Sequence, residues 1–250
     1  MVANAWIVLP AVLIAGALIG ASGIGGVLMV PLLTRLGDVP LPQAIAASSL
    51  AFALPALVAL GPLKRQRTLA AQCIPLLGGA LVGAAIGALL VYRLPGAALM
   101  VGVTALVLFA GIRGLMATRR STAHEVPDAK ALGTTAWIAL GVIVGIGSAL
   151  TGTGGPVLVL PLLLLLRQPV LLAVVAAQAI QLPVALASSV VHAMAGRLDW
   201  PLAALCGALL LAGSLAGQRA ASGLDPRQLQ RLVSGLLLAV GGWFVWLLVA

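Results

Sequence analysis

The chain has 250 residues, of which 62% are hydrophobic and 8% charged, whereas about a quarter of the residues of a soluble domain carry charge. So few charged side chains cannot cover a water-exposed surface, and lipid must be the main solvent. The net charge of +9 comes from Lys and Arg set singly or in small groups between apolar runs, which marks them as topology signals and excludes a nucleic-acid face.

The apolar runs are near-continuous and rich in Leu and Ala. They lack the alternation of roughly ten-residue barrel strands, so the expected fold class is an all-α integral membrane protein. In chain order the segments are Ala5 to Leu36, Gln43 to Leu60, Leu69 to Val91 and Gly96 to Met116. After them come Thr135 to Leu166, Val170 to Met194, Leu202 to Gly217 and Leu232 to Val249. Between the fourth and fifth lies a polar stretch holding Arg119, Arg120, His124, Glu125, Asp128 and Lys130. This divides the chain into a first transmembrane repeat, 1–116, a cytoplasmic linker, 117–133, and a second repeat, 134–250. Met1 to Gly20 is apolar without a positively charged leader, so it is expected to stay as the first membrane segment rather than be cleaved.

The halves match at a shift of about 130 residues. Ser22-Gly23-Ile24-Gly25-Gly26 with Pro31 returns as Thr151-Gly152-Thr153-Gly154-Gly155 with Pro161, and Gly83 and Gly87 return as Gly213 and Gly217. The first and fifth segments exceed one span of about 20 residues but fall short of two. Each is interrupted by glycines near its middle, which predicts two half-helices meeting inside the membrane, in a broken or re-entrant pair.

Charge placement predicts the orientation. If both long segments return to their starting side, Lys64, Arg65, Arg67, Arg113, Arg119, Arg120, Lys130, Arg167, Arg219, Arg227 and Arg231 share one side. Only Arg35, Arg93 and Arg197 lie on the other, eleven against three. If each long segment crossed once, the division would be eight against six. The positive-inside rule selects the first, so the repeats are expected to be inverted, with the linker cytoplasmic and both termini periplasmic.

Inverted repeats with broken helices place a substrate between the repeats near the midplane. Half-helix N-termini near Gly25 and Gly154 offer N–H donors and partial positive charge, which suits an anion. The expected contacts are Ser22, Gly23, Ile24, Gly25 and Gly26 in one copy, and Thr151, Gly152, Thr153, Gly154 and Gly155 in the other. The following segments add Ser48 and Ser49, and Gln178 and Gln181, which are polar residues in apolar surroundings. All five acidic residues, Asp38, Glu125, Asp128, Asp199 and Asp225, lie in loops or at their edges, so a carboxylate pair for catalysis or proton coupling is not expected at membrane depth. His192, alone inside a segment, is the candidate proton relay. Cys73 and Cys206 have no ligand partner at metal spacing and would lie toward opposite faces, so neither a metal site nor a disulfide is expected. No cofactor is expected.

On its paired Gly-x-Gly-Gly elements, each followed by Pro, its polar central loop and its length, the chain resembles the TauE/SafE-like sulfite exporter family, also called the toluenesulfonate uptake permease family. The resemblance covers nearly the whole chain. It implies transport of sulfite, organosulfonates or other small sulfur-containing anions across the bacterial inner membrane. The sequence departs from the family pattern at Val27 and Pro156, where a third glycine is frequent, and at Ala177-Gln178-Ala179, where a small-Thr-Ser element is expected. The expected function is therefore secondary transport of a small anion by alternating access, with no enzymatic activity. A passive anion channel and a non-transporting scaffold are the alternatives. The expected partners are the anion and membrane lipid, with a homodimer left open and no nucleic acid.

Overall fold

The computed structural model describes residues 5–22, 25–57, 67–119, 132–166, 168–221 and scattered positions between 231 and 246. Among the described residues the structure is helical, without strands. Backbone groups in lipid must be satisfied within their own segment, which leaves the helix as the default for a continuous apolar run. Helix α1 spans Ala5–Ser22 and leads to a 3-10 turn over Gly25–Leu28, then α2, Met29–Arg35, and α3, Leu41–Ala51. Next come α4, Arg67–Gln72, α5, Ile74–Leu90, and α6, Gly96–Arg119. The second half holds α7, Thr134–Thr151, α8, Pro156–Leu165, α9, Val170–Met194, and α10, Trp200–Ala221. Four of these, α6, α7, α9 and α10, are long and apolar enough to cross a membrane, and α1, α2, α3 and α5 are shorter apolar helices. Large apolar side chains such as Trp6, Ile74, Leu89, Ile143 and Val190 face outward, as a lipid solvent requires.

The long first and fifth segments are broken, as their glycines predict, but unevenly. Each opens with an 18-residue helix and continues with a shorter one, seven residues in α2 and ten in α8. At 1.5 Å per residue the 18-residue pieces reach about 27 Å, longer than the sequence reading allows for a half-helix.

Two glycine-lined pairs, α1 with α10 and α5 with α7, are the most extensive helix contacts. A Cβ added at Gly16 would lie 2.7 Å from the Leu210 carbonyl oxygen, and one at Gly87 would lie 2.6 Å from that of Ile146. Gly20 meets Ser214, Gly217 meets Ala17, Gly79 meets Ile138 and Gly83 meets Val142 in the same way. Residue numbers rise together in both pairs, so each pair is parallel. With no hydrophobic drive between helices in lipid, this backbone-to-backbone fit holds them. Helix α3 packs on α10, α9 packs on α5, and α3 and α9 pack on each other. Exchanging α1 with α7, α3 with α9 and α5 with α10 turns this list of contacts into itself.

A cavity of about 620 Å³ fixes one face of the molecule. It is lined by Leu9 near the start of α1, Gly37 to Pro40 after α2, Gln43 at the start of α3, and Asp199 to Leu205 at the start of α10. The chain therefore comes back at Gly37 to the level from which α1 began.

Candidate functional site

The second break follows from Thr151-Gly152-Thr153-Gly154-Gly155-Pro156. Gly152 stops α7 in a left-handed conformation, φ 63°, and its N–H donates to the Ser148 carbonyl, an ending for which glycine has no steric cost. Thr153 N–H donates to the same carbonyl at 3.2 Å. Gly154 and Gly155 are also left-handed, at φ 78° and 106°. Pro156 then opens α8, where a missing N–H costs nothing. Leu158 and Val159 both donate to the Gly155 carbonyl, so the amides that the ladder of α8 leaves unused are those of Gly154, Gly155 and Val157.

The first break meets the second. Ser22 closes α1, its side chain lying outside the described residues, as do Gly23 and Ile24. Gly25 opens the 3-10 turn, so regular α-helix resumes at Met29 and not at Gly25. A Cβ on Gly26 would stand 3.2 Å from the Thr153 carbonyl oxygen and 3.0 Å from Phe52 Cε1. A Cβ on Gly154 would stand 3.3 Å from Phe52 Cγ. The two glycine turns thus meet directly at Gly26 and Thr153, with one phenyl ring packed against both. Gly152 lies beside Val30 of α2 and Ile45 of α3, and Gly155 beside Ile180 of α9.

A donor count separates the hydroxyls. Thr151 donates to the Gly147 carbonyl at 2.7 Å and shares a 3.1 Å bond with Thr153, and Ser49 donates to the Ile45 carbonyl at 2.9 Å. These three are occupied. Ser48 and Ser148 are sealed from solvent, and their Oγ atoms have no partner among the described residues. Ser148 Oγ lies 3.7 Å from the position a Cβ would take on Gly155. Ser48 lies one turn from both Ile45 and Phe52, on the face of α3 that meets the second turn.

Ser148 and Phe52 are the residues that sequence reasoning missed. Ser148 stands before the glycine element, one turn from Gly152, and that spacing alone could have drawn it in. Phe52 carries no sequence signal, because an aromatic in an apolar segment is ordinary.

On α9, Gln181 is buried and Gln178 half-buried, flanking the Ile180 that touches Gly155. His192 is elsewhere, near the end of α9. Its Nδ1 lies 2.6 Å from the Tyr92 hydroxyl, the rings meet edge to face, and its Nε2 has no partner among the described residues. Burial pushes the Tyr92 phenol above its ordinary range, with Arg197 opposing, so near neutrality the group keeps its proton. Cys73 and Cys206 are free thiols buried in separate apolar clusters. Among the described residues no group of His, Cys, Asp and Glu could hold a metal. An apolar chamber of about 440 Å³ between α6 and the second break reaches Thr151.

Membrane-length apolar helices, two of them broken at glycine turns that meet in the interior, define a multi-pass membrane protein. A family profile described as "Sulfite exporter TauE/SafE" matches residues 7–244, and the chain belongs to that family. Membership implies a membrane transporter of sulfur anions rather than an enzyme. No curated protein and no solved structure matches the chain.

Proposed function

We propose that this protein is a secondary transporter that holds a small sulfur-containing anion, sulfite or an organosulfonate, at the meeting point of its two glycine turns. The observation that carries this reading is the donor set there. Among the described residues, the amides of Gly154, Gly155 and Val157 at the positive end of α8 are unused, Ser148 Oγ beside Gly155 is unpartnered, and so is Ser48 Oγ on the face of α3 that carries Ile45 and Phe52, with no acidic residue in any apolar segment. Free donors, with no carboxylate in the apolar segments, suit an anion. The glutamines extend this set from α9 and Gly25 extends it from the first break, where Gly23 and Ile24 lie outside the described residues.

Alternating access is supported by the exchange of helix contacts between the halves, as expected of inverted repeats. The cavity joining Leu9, Gly37 and Asp199 supports a first segment that re-enters and returns. With the basic residues counted as above, this supports a cytoplasmic linker, periplasmic termini and an inner-membrane location. Among the described residues His192, hydrogen-bonded to Tyr92 of the other half, is the candidate proton relay of this reading.

The test is uptake of labelled sulfite, sulfate and a short alkylsulfonate into proteoliposomes, with and without an imposed membrane potential. Saturable flux of one anion, lost in Gly154→Val, is the expected result. Unsaturable flux that follows the potential alone would favour a channel. Absence of flux for all three from folded protein would sink the reading.

A further inference from the structure

We propose that Phe52 is the inner gate of the anion path, its ring closing the way between the two glycine turns. The proposal rests on the site assigned above, and the geometry is specific to this side chain. The ring is 3% exposed. Its tip, Cε1 and Cζ, lies 3.0 and 3.1 Å from where a Cβ on Gly26 would stand, and its base, Cγ and Cδ2, lies 3.3 and 3.4 Å from the same point on Gly154. The ring thus spans from one break to the other, and both turns are glycine where it touches them.

Depth along α3 sets the side that is closed. Gln43 lines the cavity shared with Asp38 and Asp199. Ser48 lies about 7 Å further along the helix, and Phe52 about 6 Å beyond Ser48 on the same face. An anion entering past Gln43 meets the Ser48 donor first and the ring next. An isolated charge is costly to strip of water, and the faces of a phenyl ring are negative, so a closed ring is a barrier to anions in particular.

The ring also hangs from the place where α3 gives most easily. Helix α3 ends at Ala51, Phe52 is its C-cap, and residues 53–57 resume helical geometry. Pro55 has no N–H to offer the Ala51 carbonyl, so the ladder is already interrupted there. Opposite, α10 presents Gly207, whose Cβ position is 3.2 Å from Leu54 Cδ1 and 3.4 Å from Ala51 Cα. A bend at Ala51 to Pro55 swings the ring and strains one bond, from the Ala56 N–H to the Phe52 carbonyl, in a ladder that Pro55 has already weakened.

The test uses a reporter cysteine at Ser48→Cys in a chain whose native thiols are removed by Cys73→Ala and Cys206→Ala. It is probed with a membrane-impermeant anionic thiosulfonate in sealed vesicles of known orientation. Ser48 is sealed in this closed state, so with Phe52 present the reporter should react only when the Gln43 side opens, and only from the face of Asp38 and Asp199. With Phe52→Ala it should also react from the opposite face, at a rate raised by about tenfold or more, the change that follows when a closed state loses about 1.4 kcal/mol of its advantage. Phe52→Trp should react as the parent does. If Phe52→Ala fails to purify as folded protein, Phe52→Leu replaces it with the same expectation. Folded Phe52→Ala, or Phe52→Leu in its place, that stays unreactive from the opposite face overturns the gate, as does a parent that already reacts from there. Labelling requires no anion flux. A protein that moves none of the anions tested would therefore sink the transport reading and leave this result standing.

Discussion

Ser48 and Ser148 each hold a sealed hydroxyl with no partner among the described residues. A buried donor left unpaired costs about 1–3 kcal/mol, and a hydrogen bond to a charged group returns about 1.5–3. Ser148→Ala should therefore weaken anion binding by roughly tenfold or more, measured as KM in proteoliposomes, while the melting temperature in detergent stays level or rises. Thr151→Val should do the reverse, because its hydroxyl already serves Gly147 and Thr153. A loss of about 1 kcal/mol in stability is expected there. At the far end of α9, Tyr92→Phe removes the phenol that meets His192. If His192 relays a proton, the pH profile of flux should move in that variant, and an unchanged profile would remove His192 from the mechanism.

At the scale of elements, small residues carry the packing information. In lipid no solvent rewards a polar face, so helices that are apolar all round give little hint of which side meets a neighbour. The first seven spans and the breaks are legible because length and glycine clusters suffice to mark them, while the linker and the eighth span, Leu232 to Val249, lie mostly outside the described residues. The partner of each helix is not legible, since Gly16 and Leu210, or Gly83 and Val142, are joined only by the fold. The same reason hid Phe52, whose meaning comes from two turns distant in sequence. The candidate site was legible in its glycines but not in its donors. Thr151 and Thr153 looked available and are occupied, whereas Ser148 was passed over. Gly217→Val would drive a branched side chain into the Ala17 backbone, and folded protein should be lost on size-exclusion chromatography. Gly78→Ala, with open space around it, should change stability by less than about 0.5 kcal/mol.

For the whole molecule, the proposed inverted arrangement makes a prediction about sides. Asp38 sits beside the cavity where α1, α3 and α10 begin, and Asp128 belongs to the polar linker. Cysteines placed at these two positions should be labelled from opposite faces of the membrane by an impermeant reagent. Labelling from the same face would end the inverted-repeat reading and, with it, the assignment of the termini to the periplasm.

The exchange of partners between α1 and α10, and between α5 and α7, also bears on biogenesis. Helix α1 leaves the ribosome before the other described helices, yet the glycine groove that receives it is synthesised about 200 residues later, a wait of roughly 10–40 s at ordinary elongation rates. Through that interval its small-residue face must rest against lipid or insertion machinery. The two halves are clasped like linked hands, so neither can reach its final form alone, whereas both expressed as separate chains could still find each other.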